Sequence, residues 1–235
     1  MTKANLSRLE VVHRFFSGTG RSYDRVVAVC TWGVDLYWKR RIIAAVPARP
    51  KRLLDQACGT GILTLDLARR FPECEVTGVE LRREYLDIAR DKARAAGIDN
   101  VRFLLGRAED VVPEGEFDCI TSSYLAKYAE LPLLLERARQ MLRPGGRLVL
   151  HDFTYPRGRL FRALWQTHFR LLQTAGNRLF PEWRTVFFEL PDFLRETRWL
   201  PETLELLERL SFTQIRSTPL TCGAAALVTA DKPRG

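Results

Sequence analysis

The sequence predicts an α/β fold: a doubly wound, mostly parallel sheet with helices on both of its faces. From residue 52 onward, short apolar runs alternate with longer amphipathic stretches, an alternation typical of right-handed βαβ units. A glycine-rich turn directly follows the first apolar run, and later stretches stop at Gly97 or at Pro144-Gly145-Gly146. The last third departs from the alternation and ends in two apolar runs around Gly223, which predicts a closing hairpin.

Each element follows from its own run of residues. Five strands are predicted in the alternating part, at 52–56, 75–80, 101–105, 117–123 and 147–152. The helices between them are predicted at 62–71, 83–96 and 131–142. Further along, we predict a helical stretch at 157–180 and a second helix at 201–210. Two strands are predicted after them, at 212–218 and 224–229. Together these elements predict a seven-stranded Rossmann-like sheet with a C-terminal antiparallel hairpin at one edge.

Composition predicts a single globular domain in the cytoplasm. The 235 residues are 46% hydrophobic and 28% charged, and no apolar run approaches the roughly 20 residues that span a bilayer. The first sixteen residues show no signal-peptide stretch and include Glu10. Five scattered cysteines, none in a C-x-x-C pair, favour a reducing compartment over a disulfide framework, and we expect no metal site.

Basic residues concentrate in two segments. Residues 1–52 hold eleven lysines and arginines against three acids, and residues 157–180 hold five arginines and no acid. Segments of this kind predict a basic rim that meets phosphates, either of nucleic acid or of anionic lipid. A solvated surface without a partner is the alternative.

The turn after the first predicted strand indicates the class of ligand. It reads Asp55-Gln56-Ala57-Cys58-Gly59-Thr60-Gly61, and its small residues let the backbone approach a ligand closely. The spacing is tighter than the G-x-G-x-x-G of dinucleotide sites, and Asp55 would repel a pyrophosphate. A cofactor with an amino group and a sulfonium tolerates this acid. The turn therefore favours S-adenosylmethionine over NAD.

Two more segments at strand ends support an adenosyl site. Glu80, followed by Leu81, ends the second strand 19 residues after Gly61, where Rossmann-like folds place a carboxylate that binds ribose hydroxyls. After the third strand, the segment 106–110 presents backbone amides and a side chain to an adenine edge; it contains Arg107, Ala108 and Glu109.

Several motifs outside the cofactor turn extend the pattern over most of the chain. They are Tyr23-Asp24, Trp32-Gly33, Trp38-Lys39-Arg40, Leu142-Arg143-Pro144-Gly145-Gly146-Arg147, Asp152-Phe153-Thr154-x-Pro156 and Leu220-Thr221-x-Gly223. With Leu54-Asp55-x-Ala57-x-Gly59-Thr60-Gly61, they resemble the UbiE/COQ5 family, the C-methyltransferases of ubiquinone and menaquinone biosynthesis. The resemblance runs from about Val12 to Lys232.

The resemblance implies a class I S-adenosylmethionine-dependent methyltransferase whose cofactor product is S-adenosylhomocysteine. It implies cofactor contacts at Thr60, Glu80, Arg107, Ala108 and Ser123. Arg107 stands where the family usually has Asp or Asn, so backbone groups or Glu109 would meet the adenine instead. After the fourth strand, the family's Arg-Asn is Lys127-Tyr128 here. Since lysine does not reproduce the fork of arginine, we expect an altered substrate contact.

Methylation of a quinol ring carbon needs a polarised or ionised ring hydroxyl, and four residues are candidates for this work. Lys127 would supply a cation, while His151, Asp152 and Tyr23 would handle protons. Each has a structural alternative: a solvated lysine, a buried or rim histidine, a carboxylate that caps the following segment, and a tyrosine that packs on the cofactor.

The motifs divide the domain into four parts. Residues 1–50 form an N-terminal helical lid, 51–152 the cofactor-binding core, 153–200 a helical substrate lid, and 201–235 a closing helix with the edge strands. The segment 157–180 combines arginines with aliphatic and aromatic residues, so it predicts either peripheral contact with the inner membrane surface or packing on the sheet edge. The oligomeric state stays open, with a homodimer among the options.

The expected substrate is a small, lipid-like polyprenyl hydroxyquinol. A first alternative is another small-molecule or lipid acceptor, such as an amine or a phenol. A second is RNA, but the basic segments lack the stacking aromatics of nucleic-acid sites. A third is a binding module that retains the cofactor pocket without catalysis.

Overall fold

The sheet has the predicted mixed architecture. In the computed structural model, which describes residues 7–156 and 158–234, seven strands form one sheet in the order β3-β2-β1-β4-β5-β7-β6. They are β1 (Arg52–Gln56), β2 (Glu75–Glu80), β3 (Val101–Leu105), β4 (Phe117–Ser123), β5 (Leu142–Phe153), β6 (Thr213–Leu220) and β7 (Ala225–Asp231). Strands β1 to β5 pair in parallel, and β7 runs antiparallel to both β5 and β6. The predicted fold class is confirmed.

Along the described part of the chain, three helices precede β1, others connect the strands, and four form a long insertion after β5. They are α1 (Arg8–Phe16), α2 (Tyr23–Cys30), α3 (Val34–Ala45), α4 (Ile62–Arg70), α5 (Arg83–Ala95), α6 (Leu131–Met141), α7 (Arg159–Leu171), α8 (Asn177–Leu179), α9 (Arg184–Glu196) and α10 (Trp199–Arg209). A π-helical turn at Leu172–Gly176 joins α7 to α8, so the predicted helical stretch 157–180 is two helices around a distortion. Arg157 lies outside the described residues.

Apolar side chains cover both faces of the central strands, as expected for parallel strands with helices on both sides. Leu53 and Leu54 of β1 are both fully buried, on opposite faces. The Leu54 side packs against α6 and α10, and the Leu53 side packs against α3 and α4. This arrangement leaves the loops at the carboxyl ends of the strands as the place where a ligand can enter.

Strand β5 begins earlier than predicted, at Leu142 rather than at residue 147. Leu142 pairs with Phe117 of β4, and the register shifts before Arg147 pairs with Cys119. A Cβ atom on Gly146 would lie 2.9 Å from the carbonyl oxygen of Arg143, so glycine lets the chain fold back there. Helix α6 ends just before the Pro-Gly-Gly sequence, as predicted. The Pro-Gly-Gly residues themselves lie in the bulged first part of β5.

A third apolar cluster connects the N-terminal helices with the insertion after β5. It contains Phe15 of α1, Val26 of α2, and Phe187 and Leu190 of α9, and it packs around Tyr128 from the loop after β4. The two segments predicted as lids therefore pack on each other above the carboxyl ends of the strands. Among the described residues, no helix is long and apolar enough to cross a membrane.

Candidate active site

The loops after β1, β2 and β3 surround a cavity of about 110 Å³. Its walls include eight of the residues that the sequence assigns to the cofactor: Ala57, Gly59, Glu80, Leu81, Arg107, Ala108, Glu109 and Ser123. The same walls include Tyr23 of α2 and Tyr85 of α5. These residues come from six separate segments. The parallel sheet brings the four segments that end or follow β1, β2, β3 and β4 together at one edge, and α2 and α5 add Tyr23 and Tyr85.

The glycine turn is built around backbone contacts with β2. The amide of Cys58 donates to the carbonyl of Val79 at 2.9 Å, and the amide of Gly59 donates to Glu80 Oε2 at 2.9 Å. Gly59 has a φ of +59°, which favours glycine, and Ala57 shares this conformation with a φ of +55°. The turn is thus held open toward the cavity by the strand beside it.

In the described structure Gly61 has a packing role. It does not line this cavity or either of the two cavities that adjoin it. It precedes α4 with a φ of +84°, and a Cβ atom there would lie 3.0 Å from the Cβ of Ala89 in α5. Glycine at this position therefore lets α4 and α5 approach each other. Among the predicted cofactor residues, it is the one that the structure does not bring to a cavity wall.

Glu80 is a buried carboxylate with unused capacity to accept hydrogen bonds. Its Oε1 accepts from the amide of Arg82 at 2.8 Å, and its Oε2 accepts from Gly59. Burial raises the pKa of Glu80 above its ordinary value, and the amide donors of Arg82 and Gly59 oppose this rise. Each carboxylate oxygen has a second lone pair, so Glu80 can still accept from two neighbouring hydroxyls of a ligand.

A smaller cavity of about 30 Å³ adjoins the first on the side of β4. Asp55, Cys58 and Thr60 line it, and Ala57, Gly59 and Ser123 line both cavities. The oxygens of Asp55 accept from the hydroxyls of Thr64 at 2.6 Å and Thr121 at 2.8 Å. Burial raises the pKa of Asp55 to about 6, although these hydroxyls favour the ionised form.

Arg107 is held by acidic residues at the rim of the larger cavity. Its guanidinium lies 3.1 Å from Glu130 and 3.6 Å from Glu109. Ala108 beside it is buried and leaves room at the cavity wall. The side chain of Arg107 is therefore engaged with protein carboxylates, and its neighbours form the surface that a ligand would meet.

A third cavity, of about 260 Å³, is lined almost entirely by apolar and aromatic side chains. It lies between α2, α3, α7 and α9, and its lining includes Trp38, Trp165, Phe169, Trp183 and Phe187. Phe16, Tyr23, Tyr124 and Tyr128 line both this apolar cavity and the 110 Å³ cavity. The two spaces thus share a wall of four aromatic rings.

Lys127 places a charged group in the wall of the apolar cavity. The side chain is 2% exposed, and its Nζ donates to Asp152 Oδ1 at 2.6 Å and to the carbonyl of Tyr124 at 3.0 Å. Nζ also lies 4.4 Å from the centre of the Tyr128 ring. Burial lowers the pKa of Lys127, and the Asp152 carboxylate opposes this effect. A solvated lysine, the structural alternative, does not describe this side chain.

The other candidates for proton handling occupy different positions. Tyr23 lines all three cavities, and desolvation raises the pKa of its phenol well above the ordinary value. Asp152 is fully buried behind Lys127. His151 is also fully buried, and its Nδ1 lies 3.0 Å from Ser123 Oγ. Burial, followed by the charges of Lys39 and Lys127, lowers the pKa of His151 well below its ordinary value, so the ring is neutral.

Sequence reasoning left two polar groups of the site unassigned. The first is the pair of Asp35 and Lys39 on α3. Their four-residue spacing is typical of an ion pair on one face of a helix. The second is Asp24, which accepts from Thr60 Oγ1 at 2.5 Å and from Lys92. In the sequence, Asp24 belongs to the Tyr23-Asp24 motif, which does not indicate its partner. Its contact with Thr60 joins α2 to the glycine turn, and no local signal predicts such a long-range bond.

Comparison with known proteins shows the family and the fold of the chain. Residues 1–232 match the ubiE/COQ5 methyltransferase family. A demethylmenaquinone methyltransferase of Thermus thermophilus is 34% identical over 93% of this chain and 100% of its own length, and one of Deinococcus radiodurans is 31% identical over 95% and 93%. A crystal structure of a putative S-adenosylmethionine-dependent methyltransferase from Methanococcus maripaludis has the same fold, with a TM-score of 0.67 at 12% identity over 99% and 96% of the two chains.

The resemblance that the motifs indicated is confirmed, since the match covers the N-terminal helices, the sheet and the insertion after β5. The fold agrees with that of S-adenosylmethionine-dependent methyltransferases. The chain is a methyltransferase and belongs to the ubiE/COQ5 methyltransferase family.

Proposed function

We propose that this enzyme transfers a methyl group from S-adenosylmethionine to a ring carbon of a demethylated polyprenyl quinol. The observation that carries the proposal is the shared aromatic wall between a polar cavity on the glycine turn and an apolar cavity that holds the ammonium of Lys127. The names of the relatives, which are demethylmenaquinone methyltransferases, support the same substrate class.

The residues that line the polar cavity match the groups of the cofactor. Glu80 has free lone pairs for ribose hydroxyls, and Ala108 leaves space for an adenine ring. Asp55 and Ser123 line the continuation toward β4, where the amino-acid end would lie. When bound, the cofactor supplies a methyl group that its sulfonium makes electrophilic. The protein's contribution is then to align the acceptor and raise its electron density.

Lys127 is the residue that we assign to the acceptor ring. An ammonium beside a quinol hydroxyl stabilises the oxyanion that remains when the hydroxyl loses its proton to water, and the negative charge reaches a ring carbon. That carbon would take the methyl group, leaving S-adenosylhomocysteine, and its own hydrogen would then be lost to water as a proton when aromaticity is restored. The low polarity of the cavity strengthens the interaction. It also disfavours a cationic amine as the acceptor, because a second positive charge would have to enter an apolar space beside Lys127.

The remaining candidates take supporting roles in this proposal. Asp152 positions Lys127 through two hydrogen bonds, to the side chain and to the backbone amide. The raised pKa of Tyr23 keeps its phenol protonated, so Tyr23 contacts both ligands as a donor and packing surface and does not act as a base. His151 acts through Ser123 and supports the strand end from behind the cavity wall.

A methyl-transfer assay tests the substrate class. The purified protein would be incubated with radiolabelled-methyl cofactor and a panel of a short-chain demethylmenaquinol, a phenol, a lipid amine and transfer RNA. We expect label in the quinol alone, on a ring carbon. Label in the amine or the RNA would contradict the quinol assignment. Binding of S-adenosylhomocysteine without transfer to any acceptor would favour the non-catalytic binding module.

We further propose that the enzyme draws its substrate from an anionic membrane surface. The outer side of α7 exposes Leu160, Leu164 and Leu171, and the neighbouring arginines 159, 162 and 170 are exposed as well. The inner side of the same helix lines the apolar cavity through Trp165 and Phe169. Apolar residues flanked by arginines suit the boundary between headgroups and acyl chains.

The end of the cavity near α7 lies at this surface. Trp32 is 75% exposed and lines the cavity, and its Nε1 donates to Nδ1 of His168 at 3.0 Å. Because His168 belongs to α7, this hydrogen bond spans the cavity end between the two predicted lids. A prenyl tail held in the membrane would leave the cavity here.

Changing Leu164 and Leu171 to glutamate should weaken binding to phosphatidylglycerol vesicles about tenfold or more, because both side chains would leave the apolar layer and add negative charge. Vesicle sedimentation at two salt concentrations measures this effect. The matched control is Val112→Glu, at an exposed apolar position between β3 and β4. Transfer to a water-soluble quinol should stay unchanged in all variants. Equal vesicle binding by the double variant and the wild type would contradict the membrane proposal.

A further inference from the structure

Lys39 is a buried cation of α3 that the proposed chemistry does not use. Its side chain is 6% exposed, and Nζ lies 3.1 Å from Asp35 Oδ1 and donates to Ser123 Oγ at 2.8 Å. Asp35 also accepts from the phenol of Tyr124 at 2.6 Å. The helix itself is anchored by Trp38, whose Nε1 donates to the hydroxyl of Thr221 at 2.9 Å. Lys39 is therefore held rigidly at the carboxyl end of β4.

The position of Lys39 relative to the cofactor cavity is informative. It lines the 30 Å³ cavity together with Asp55, Gly59 and Thr60, and it is the one cation in the described lining of that cavity. The strand order places β1 between β2 and β4. A ligand whose ribose is held by Glu80 at the end of β2 would extend across the turn after β1 and reach this small cavity next.

The charge of Lys39 matches what the far end of the cofactor carries. The amino-acid end of S-adenosylmethionine has one ammonium, which Asp55 in the same cavity lining suits, and one carboxylate, which needs a donor if it leaves water. An ammonium has three donor positions, and the two described partners of Lys39 leave one available. Asp35 balances the lysine when no ligand is present, so the buried charge is paired in both states.

Resting on the cofactor assignment above, we propose that Lys39 Nζ binds the α-carboxylate of the methionyl end of the cofactor. Asp35 and Ser123 would orient the ammonium, and Tyr124 would hold Asp35 in place. Lys39 thereby becomes a cofactor-binding residue contributed by the N-terminal helices, not by the sheet. The proposal explains why an ion pair is buried between the N-terminal helices and the end of β4.

Two ligands that differ only at the amino-acid end test the proposal. S-adenosylhomocysteine carries the carboxylate, and 5′-methylthioadenosine has the same adenosine and sulfur without the amino acid. Calorimetry with Lys39→Met should show binding of S-adenosylhomocysteine weakened about 10- to 100-fold, with methylthioadenosine unchanged within about twofold. Lys39→Arg should recover part of the difference because it keeps the charge.

A second variant guards against loss of folding. Lys39→Met combined with Asp35→Asn removes the carboxylate that would otherwise stay buried and unpaired, and it should show the same selective loss. Equal weakening of both ligands, or unchanged binding of S-adenosylhomocysteine, would overturn the role of Lys39 while the cofactor assignment stands. If the wild type bound neither ligand, the cofactor assignment and this proposal would fail together.

Discussion

Replacing Lys127 with methionine, together with Asp152→Asn, should lower the turnover number for quinol methylation about 100- to 1,000-fold, because the ammonium that stabilises the ionised ring oxygen is lost. The double change is needed because Lys127→Met alone would leave a fully buried carboxylate without its partner, which costs about 3–5 kcal/mol of folding stability. Steady-state kinetics with a short-chain quinol measures the effect. Binding of S-adenosylhomocysteine should be unchanged, since Lys127 lines the apolar cavity and not the cofactor cavity.

The pH dependence separates a charged role for Lys127 from a structural one. Burial lowers the pKa of Lys127, so the active, protonated form is lost as pH rises through that lowered pKa. Activity should therefore fall on the alkaline side at a lower pH than an ordinary lysine allows. In Lys127→Arg the fall should move to higher pH, since arginine stays protonated. An alkaline limb that does not move, or full activity in the double variant, would contradict the role of Lys127.

Replacing Glu80 with alanine should weaken binding of both S-adenosylhomocysteine and methylthioadenosine about 100-fold or more. The change removes the acceptor of the ribose hydroxyls and leaves the amides of Gly59 and Arg82 without their buried partner. Calorimetric titration of each ligand measures the loss. Because the two ligands share the ribose, the loss should be equal for both, in contrast to the selective loss expected from Lys39→Met.

Glu75→Ala is the matched control for Glu80. Glu75 begins the same strand, is exposed, and forms surface ion pairs with Arg52 and Arg102 far from the cavities. Surface pairs of this kind contribute about 1 kcal/mol or less to stability, so cofactor affinity should be unaffected. Equal affinities in the Glu80 and Glu75 variants would remove Glu80 from the cofactor site.

The cofactor half of the site was predictable from sequence because its residues stand at fixed distances from strand ends. A turn that follows a buried strand, and an acid at the end of the next strand, must meet at one edge of a parallel sheet. Glu80 and the 55–61 turn accordingly lie together. Gly61 shows the limit of this reasoning, since its conformation serves the packing of α4 on α5 and its spacing alone cannot distinguish packing from ligand contact.

The substrate half was less predictable because it depends on contacts between segments far apart in the chain. Lys127 could be placed after β4, but its burial involves Asp152 and Phe153 of β5, which lie 25 residues or more further along the chain. The contact of Lys39 with Ser123 depends on how α3 lies across β4, which no local pattern records. For the segment 157–180 the sequence left open membrane contact and packing, and the apolar residues of α7 divide between the cavity and the outer surface.

A crystal structure with both S-adenosylhomocysteine and a short-chain demethylmenaquinone tests the central claim most directly. The sulfur should lie against the wall that Tyr23 and Tyr124 share between the cavities, and the quinone ring should lie in the apolar cavity with one oxygen within hydrogen-bond distance of Lys127 Nζ. A quinone bound elsewhere, with the apolar cavity occupied only by protein side chains, would contradict the account.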